Sequence, residues 1–516
     1  MTSGRSRSIF ERKPIARLQA EVGEAGLKRV LGPWQLLLLG VGCVLGAGIY
    51  VLPGTAAANY AGPAVILSFV IAGSACALTA LCYAELASVA PAAGSSYSYC
   101  YAALGEVFAW TLGWLLMLEY GLAGSLLAVG FSGYFASLLH DAGIDVPAVL
   151  ANPLFQAAPH GGGLVPNGAI NLVAVAITAV IAGVLVVGVS ESARVNAALV
   201  AVKIAVLTGF VILGFGAVKP ANWTPFIPPS QGGFVYGWPG VFRAASILFF
   251  AYLGFETVST AASEARNPQR DVPFGVLGAL GACTLAYVVV AAVLTGVVPY
   301  RELGVPDPIA IAVDRLGRPE FAGLIKIGAL TGLSSVLLVN AFGQSRIAFA
   351  MARDGLLPKA FAVLHPKFRT PWLGILLVCA ISAVLAAIFP LALLGDLVSL
   401  GTGCAFMMVC LSLMWLRTTR PDLHRPFRVP LGGVRLFGVW LGFVPIAAML
   451  MCVVMIGPVV LDITGQALSG RPTPAIILGA YALLGAAIYL GFGRRASRVS
   501  GAQAIPAEPA ELTETP

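Results

Sequence analysis

Three ionisable residues lie within long apolar runs of this 516-residue sequence. Lys203 follows Val-Ala-Val, Glu119 follows Leu-Leu-Met-Leu, and Glu256 follows Phe-Phe-Ala-Tyr-Leu-Gly-Phe. A charged group in apolar surroundings is costly unless it has a partner, because it loses its hydration. Groups in such places often bind and release protons or bind a charged ligand. These three side chains are therefore the first candidates for chemistry.

Glycine interrupts two of the apolar segments. The segment 40–54 contains five glycines and one proline, and Gly254 interrupts a second segment two residues before Glu256. Each glycine inside a helix costs about 1 kcal/mol relative to alanine. Close packing against another helix would explain Gly42 and Gly46, which are four residues apart. The alternative is a broken helix, which would offer free backbone N–H and C=O groups to a ligand.

The elements that carry these residues are predicted to be membrane-spanning helices. Hydrophobic residues make up 58% of the sequence and charged residues 10%, and the mean hydropathy is +0.89. Soluble domains contain about 25% charged residues, and a membrane helix needs about 20 mainly apolar residues. This composition excludes a cytoplasmic enzyme, a nucleic-acid-binding protein and a disordered scaffold. Twelve spans are predicted, at 34–59, 63–90, 106–139, 168–188, 197–218, 240–262, 274–298, 320–350, 372–390, 395–416, 437–459 and 473–492.

The distribution of basic residues predicts the orientation of the chain. Twelve spans place both termini on one side of the membrane, and most of the 31 Lys and Arg residues fall on that side. Cytoplasmic loops are enriched in basic residues, so we expect both termini in the cytoplasm and the protein in the inner membrane. The net charge of +8 is then an orientation signal. The first span lacks the form of a signal peptide, because a polar arm precedes it and no cleavage site follows.

The two glycine-interrupted spans, the first and the sixth, occupy matching positions in two halves of the chain. This predicts two inverted five-helix repeats with a substrate site at the membrane midplane. Unpaired backbone is tolerated at that depth only where it lines a cavity. Free N–H groups suit a carboxylate and free C=O groups suit an ammonium, so an α-amino acid would satisfy both. The expected divisions are an N-terminal arm at 1–33, a first repeat at 34–218, a second repeat at 240–416, two further spans at 437–492 and a C-terminal tail at 493–516.

Several motifs resemble the amino acid–polyamine–organocation superfamily. They are Gly46-Ala-Gly-Ile49 in span 1, Phe250-Ala-Tyr-Leu-Gly-Phe-Glu256 in span 6 and the stretch Glu264–Pro273. Further motifs look like bacterial permeases of the cationic-amino-acid-transporter type, and the similarity covers about residues 10–490. These motifs are Ala61-Gly-Pro-Ala64, Cys82-Tyr-Ala-Glu-Leu86, Gly113–Tyr120 and Met351–Pro358.

The resemblance implies a fold and a binding mode. The fold is all-α, with twelve transmembrane helices, inverted repeats formed by spans 1–5 and 6–10, broken helices 1 and 6, and two extra helices. The substrate carboxylate is implied to bind the amides of Gly46, Ala47, Gly48 and Ile49. The substrate amine is implied to lie near the carbonyls of Phe250, Ala251, Tyr252 and Leu253, next to Gly254. Tyr252 or Phe255 would act as an aromatic gate.

The resemblance also implies a role for Lys203, whose ammonium would replace the Na⁺ of sodium-coupled relatives and bridge spans 1 and 8. From its position alone, Lys203 could snorkel to the interface or stay buried and exchange a proton. Glu119 could line the side-chain pocket, belong to the proton-coupling network, or be a hydrogen-bonded packing residue. Glu256 could brace the second half-helix or contact substrate. Three hydroxyl residues of span 8 could bond Lys203, substrate or the nearby backbone: Thr331, Ser334 and Ser335.

The predicted function is import of α-amino acids by a secondary transporter, through proton symport and alternating access. An ion-independent exchanger is the alternative, and a non-transporting sensor is a weaker one, since no soluble sensor domain is present. The carboxylate of Glu119 favours a cationic substrate such as Arg, Lys or ornithine. The small residues around span 6 favour a neutral substrate such as Ala equally well.

Metal or cofactor chemistry is not expected. The 9 cysteines show no paired CxxC spacing, and the 4 histidines form no cluster. No nucleophile–base constellation indicates an enzyme. The expected partners are an amino acid, protons and the lipid bilayer, with no nucleic acid and no accessory subunit.

Overall fold

Helices make up most of the computed structural model, which describes residues 10–14, 31–89, 95–157, 164–188, 193–261, 265–317 and 319–497. Within these residues, nine helical segments are long and apolar enough to cross a membrane. Three shorter apolar helices lie at the predicted positions of spans 1, 4 and 9. The predicted all-α membrane fold is therefore confirmed. Most of the predicted N-terminal arm, residue 264 and the tail beyond residue 497 lie outside the described residues.

The spans are numbered in chain order. Span 1 consists of the helices Pro33–Val44, Ala47–Tyr50 and Leu52–Ala56 and the π-helix Ala57–Ala61. Spans 2 to 6 are Val65–Val89, Glu106–Asp141, Leu172–Val187, Ala193–Phe215, and the pair Gly237–Leu248 and Glu256–Thr260. Spans 7 to 12 are Pro268–Val297, Pro319–Arg353, Trp372–Ile388, Leu391–Thr419, Phe443–Leu468 and Thr473–Ile488.

Shorter elements connect the spans, interrupt span 6 or follow span 12. The short α-helices are Ser95–Ala103, Ala148–Ala151, Pro308–Arg315 and Arg494–Ala496, and a π-helix covers Tyr489–Gly493. The 3₁₀ helices are Gly62–Ala64, Pro220–Trp223, Phe249–Tyr252, Tyr300–Glu302 and Lys359–Ala362. Two antiparallel hairpins are formed by β1 (Phe155–Ala157) with β2 (Leu164–Pro166) and by β3 (Gly433–Leu436) with β4 (Val439–Gly442).

A tight turn separates spans 1 and 2. Gly62 adopts φ 59°, and a Cβ placed on it would lie 2.5 Å from the side chain of Pro228. The left-handed backbone and the close approach both require glycine here. Pro63 follows at the start of the next helical turn. Two apolar helices are thus formed from what would otherwise be one long run.

The start of span 11 differs from the prediction. The span begins at Phe443, because β3 and β4 occupy residues 433–442 ahead of it. The apolar character of Val439 and Leu441 extends the hydrophobic run at sequence level, whereas Gly438 at φ 81° closes a hairpin. The turn chemistry therefore overrides the hydropathy at this boundary.

The two broken helices lie at the centre of the bundle. Span 3 packs against spans 8 and 10, and span 7 packs against spans 1 and 2. The breaks in spans 1 and 6 face each other between these helices: a Cβ placed on Gly48 would lie 2.6 Å from the Cβ of Ala251. Only glycine permits this approach of the two backbones.

Candidate functional site

A cavity lies between the two breaks and is bordered on its other sides by spans 3 and 8. Spans 1 and 6 contribute backbone and small side chains, and spans 3 and 8 contribute mainly apolar side chains. The lining residues are Cys43, Val44, Gly46, Ala47, Gly48, Tyr120, Ala123, Leu127, Phe250, Ala251, Leu253, Gly254, Glu256, Thr257, Val336, Val339 and Asn340.

The break in span 1 lies at Leu45 and Gly46. Leu45 has ψ 85° and Gly46 has φ −140° and ψ −130°, so neither continues the helix. The second half begins at Ala47. The Ile49 N–H of its first turn donates to the Gly46 carbonyl at 3.1 Å, whereas the amides of Ala47 and Gly48 have no preceding helical carbonyl to bond. These amides border the cavity at Gly46, Ala47 and Gly48. They are the groups that a ligand carboxylate would meet.

Side chains from two other spans approach the carbonyl groups on the opposite side of the span 1 break. The buried Nζ of Lys203 in span 5 donates a hydrogen bond to the Gly42 carbonyl at 2.8 Å. The Tyr287 hydroxyl in span 7 lies 2.8 Å from the Val44 carbonyl. Lys203 is therefore buried beside span 1 and does not snorkel to the interface, and its coupling role stays a prediction.

Tyr287 also connects the two breaks. Its hydroxyl lies 2.6 Å from the carbonyl oxygen of Ala251 in span 6, in addition to that of Val44. A hydroxyl has one hydrogen, so it donates to only one of these two carbonyls at a time. Both carbonyl-bearing residues line the cavity. The site thus contains backbone acceptors with incomplete hydrogen bonding, as a bound ammonium requires.

Glu256 braces the break in span 6. Gly254 adopts φ 114°, and its N–H donates to Oε2 of Glu256 at 2.9 Å. The Tyr120 hydroxyl of span 3 donates to Oε1 of Glu256, also at 2.9 Å. The carboxylate lies at the N-terminus of the helix Glu256–Thr260, where a negative charge is favourable. Glu256 therefore holds the break in shape and contributes to the cavity wall.

Glu119 is buried but does not belong to the cavity lining. Its Oε1 accepts a hydrogen bond from the Thr402 hydroxyl of span 10 at 3.0 Å, and its Oε2 has no partner among the described residues. The next residue, Tyr120, does line the cavity. Glu119 thus lies directly behind the cavity wall.

Several other predicted residues lie next to the cavity without lining it. The Tyr252 hydroxyl donates to the Phe69 carbonyl at 2.8 Å, away from the cavity. Phe255 packs edge-on against Tyr83, and Ile49 is buried next to the lining residue Gly48. The hydroxyl groups of span 8 bond carbonyls of their own helix, namely Thr331 to Ile327, Ser334 to Leu330 and Ser335 to Gly332.

Sequence reasoning named Glu119 of span 3 and three hydroxyl residues of span 8 as candidates, but it missed the residues of these spans that line the cavity. Ala123 and Leu127 are separated from Tyr120 by three and seven residues, which is the spacing of one helix face. Val336, Val339 and Asn340 show the same kind of spacing in span 8, and Asn340 Nδ2 donates to the Tyr120 carbonyl at 2.6 Å. The periodicity could have grouped these residues, but it could not have shown which face the cavity occupies. Within the part of the chain that the structure describes, no group of three His, Cys, Asp or Glu could hold a metal ion.

Comparisons with known proteins match nearly the whole chain. The family model described as "Amino acid permease" matches residues 31–486. The methylthioribose transporter of Bacillus subtilis (strain 168) is 44% identical over 423 residues, covering 82% of this chain and 88% of the relative. The branched-chain amino acid permease BcaP of the same organism is 43% identical over 425 residues, with the same coverage of 82% and 88%. The vacuolar cationic amino acid transporter 4 of Arabidopsis thaliana is 38% identical over 418 residues, covering 80% of this chain and 68% of the relative.

Proposed function

The chain belongs to the amino acid permease family of multi-pass membrane transporters, and we propose that it imports neutral α-amino acids across the cell (inner) membrane by proton symport with alternating access. The observation that carries this proposal is the cavity in which the breaks of spans 1 and 6 face each other. Both functional groups of an α-amino acid have complementary backbone groups in its wall.

The substrate carboxylate would bind the amides of Gly46, Ala47 and Gly48. Amides at the start of a half-helix carry partial positive charge and have no helical acceptor, so they favour an anion. The substrate ammonium would bind the carbonyls of Val44 and Ala251, which now share the Tyr287 hydroxyl. An ammonium has three donors, so it can satisfy both carbonyls at once.

The cavity wall supports a neutral apolar side chain for the substrate. Spans 3 and 8 contribute Ala123, Leu127, Val336 and Val339 to it. Among the described lining residues, Glu256 supplies the one carboxylate, and each of its oxygens already accepts a hydrogen bond. A cationic side chain would have to share this carboxylate with the Gly254 N–H and the Tyr120 hydroxyl. Relatives are named for branched-chain amino acids, cationic amino acids and methylthioribose, so the substrate has to be measured directly.

Lys203 is proposed to couple transport to protons. Its bond to the Gly42 carbonyl joins span 5 to the first half of span 1. An ammonium donates a stronger hydrogen bond than a neutral amine, so loss of the proton would loosen this connection. The first half of span 1 would then be free to move and open the site to the cytoplasm. Glu119, with one oxygen unpartnered among the described residues, is the second candidate for holding a proton.

A ligand screen followed by a transport assay tests the proposal. The purified protein is first heated with each of the twenty amino acids and with methylthioribose. We expect Ala, Val, Leu or Ile to raise the melting temperature more than Arg or Lys. Stabilisation by Arg and Lys alone would refute the neutral substrate, and stabilisation by methylthioribose alone would refute an amino acid substrate.

The stabilising amino acid is then assayed in proteoliposomes. We expect accumulation when the side equivalent to the exterior is acidic, and its abolition by a protonophore. Fast counterflow combined with net uptake that ignores the pH gradient would instead identify an exchanger. The orientation with both termini in the cytoplasm is tested in cells by protease cleavage of a tag on either terminus.

A further inference from the structure

The hairpin of β3 and β4 joins spans 10 and 11 on the same side of the membrane as the termini. Its two strands pair Val434 with Leu441 and Leu436 with Val439, and Phe437 and Gly438 form the turn. Span 10 ends at Thr419, and span 11 begins at Phe443, directly after β4. The transport mechanism uses no residue of this hairpin.

Contacts at its base hold the hairpin at the level of the helix ends. The Trp440 N–H donates to the Thr418 hydroxyl of span 10 at 2.9 Å. The Arg417 guanidinium lies 4.1 Å from the centre of the buried Trp440 ring. Ahead of the hairpin, the Val429 N–H donates to Glu85 of span 2 at 2.7 Å. These contacts place the hairpin at the boundary between the membrane helices and water.

One face of the hairpin is entirely apolar. Side chains alternate between the two faces of a strand, and directly paired residues share a face. The two cross-strand pairs Val434–Leu441 and Leu436–Val439 therefore form one face, whereas Trp440 lies on the other. Val434 and Leu436 are about half exposed, and the neighbouring Leu431 is 78% exposed. A soluble surface rarely leaves such a cluster without a partner.

The turn carries a large side chain that the backbone disfavours. Phe437 has φ 50° and Gly438 has φ 81°, the geometry of a two-residue hairpin turn in which asparagine and glycine are preferred. A bulky residue at positive φ is uncommon because of steric strain. Phe437 is nevertheless present at this position and is 96% exposed. Folding alone therefore does not account for this side chain.

We propose that the apolar face and Phe437 insert into the interfacial region of the bilayer leaflet on the side of the termini. The hairpin runs directly into span 11, whose first residue, Phe443, is itself exposed, so its apolar surface continues the lipid-facing surface. Exposed Arg428 precedes the hairpin, and exposed Arg435 lies within β3 on the same face as Trp440. Their guanidinium groups suit lipid phosphates. An apolar cluster with basic neighbours is typical of interfacial membrane anchors.

Spin labelling tests this anchor. The full-length protein is placed in lipid nanodiscs that hold one copy each. A nitroxide is attached to Phe437→Cys and, as the control, to Asp422→Cys, an exposed position in the same loop. The described native cysteines are buried except Cys404, which is half-buried, so the parent protein measures background labelling. Collision rates with oxygen, which enters lipid, and with a nickel chelate, which stays in water, report the depth of the label.

We expect oxygen to relax the label at 437 at least several-fold more effectively than the nickel chelate, and the reverse at 422. A nickel chelate that is more effective than oxygen at both positions would place Phe437 in water and overturn the proposal. Protection of the label at 437 from both reagents would indicate a protein contact and would also overturn it. The readout is independent of transport, so it does not depend on the proposed substrate or coupling.

Discussion

The side-chain nitrogen of Lys203 lies 2.8 Å from the carbonyl oxygen of Gly42. Gly42 belongs to the last turn of the first half of span 1, which ends at Val44, next to the cavity. A buried ionisable side chain is thus bonded to the helix end that borders the cavity. A change in its charge changes the strength of that bond, and this is the basis of the first prediction.

Replacing Lys203 is expected to separate coupling from binding. Lys203→Gln retains an N–H donor for the Gly42 carbonyl but cannot titrate. We expect it to keep substrate counterflow and to lose accumulation driven by a pH gradient by roughly tenfold or more. Lys203→Ala should lose both, because it removes a hydrogen bond to a charged group that is worth about 1.5–3 kcal/mol. Uptake by proteoliposomes with and without a pH gradient measures both quantities.

The control for this pair is Lys367→Gln, which removes an exposed positive charge in the loop between spans 8 and 9. Its transport should equal that of the wild type. Gradient-driven accumulation by Lys203→Gln at the wild-type level would disprove the coupling role.

The close contact between Gly48 and Ala251 predicts that one methyl group added at Gly48 strongly lowers stability and transport. In Gly48→Ala the new Cβ would lie 2.6 Å from the Cβ of Ala251, so the backbones of spans 1 and 6 must move apart. Overpacking of this kind costs about 1–3 kcal/mol. We expect a lower melting temperature and transport reduced to background.

Gly281→Ala in span 7 is the matched control, since a Cβ there would meet nothing within 4 Å. It should leave both the melting temperature and the transport rate close to wild type. If Gly48→Ala transported at the wild-type rate, the close contact between the two breaks would not be required for transport.

The bond between Tyr120 and Glu256 predicts an energetic coupling between spans 3 and 6. Glu256→Ala removes the acceptor for both the Gly254 N–H and the Tyr120 hydroxyl. A buried donor left without an acceptor costs about 1–3 kcal/mol, so this variant should bind substrate at least tenfold more weakly. Tyr120→Phe loses one hydrogen bond and should have a smaller effect. In the double variant the loss of substrate affinity should be smaller than the sum of the two single losses. Ligand titrations measure these affinities. Losses that simply add would contradict direct coupling between the two residues.

A buried ion pair near the N-terminus predicts a contribution to stability. Lys13 Nζ lies 3.3 Å from Oδ1 of Asp354, whose Oδ2 accepts a bond from the Tyr97 hydroxyl at 2.9 Å. Lys13→Ala leaves the buried carboxylate without this partner, and we expect the melting temperature to fall by several degrees. The exchanged pair Lys13→Asp with Asp354→Lys should recover part of the loss. A melting temperature for Lys13→Ala equal to wild type would show that the pair contributes nothing.

The breaks in spans 1 and 6 could be predicted because their signal is local. Five glycines and a proline between residues 40 and 54 are costly in any helix, wherever that helix packs. The cavity walls formed by spans 3 and 8 could not be predicted in the same way. Successive residues of a helix point about 100° apart, so Tyr120 faces the cavity while Glu119 faces Thr402 of span 10. Which of the two faces the site depends on how the neighbouring helices pack.

The sequence by itself determined that the chain resides in a membrane and where most of its helices lie. Both properties depend on the length and apolarity of contiguous runs, which the bilayer selects directly. The tertiary structure decided which distant groups meet: the Lys203 amine and the Gly42 carbonyl are 161 residues apart, and the Tyr287 hydroxyl reaches two breaks at once. It also decided that residues 433–442 form a hairpin with an apolar face, because cross-strand pairing and turn geometry follow from how the backbone folds back on itself.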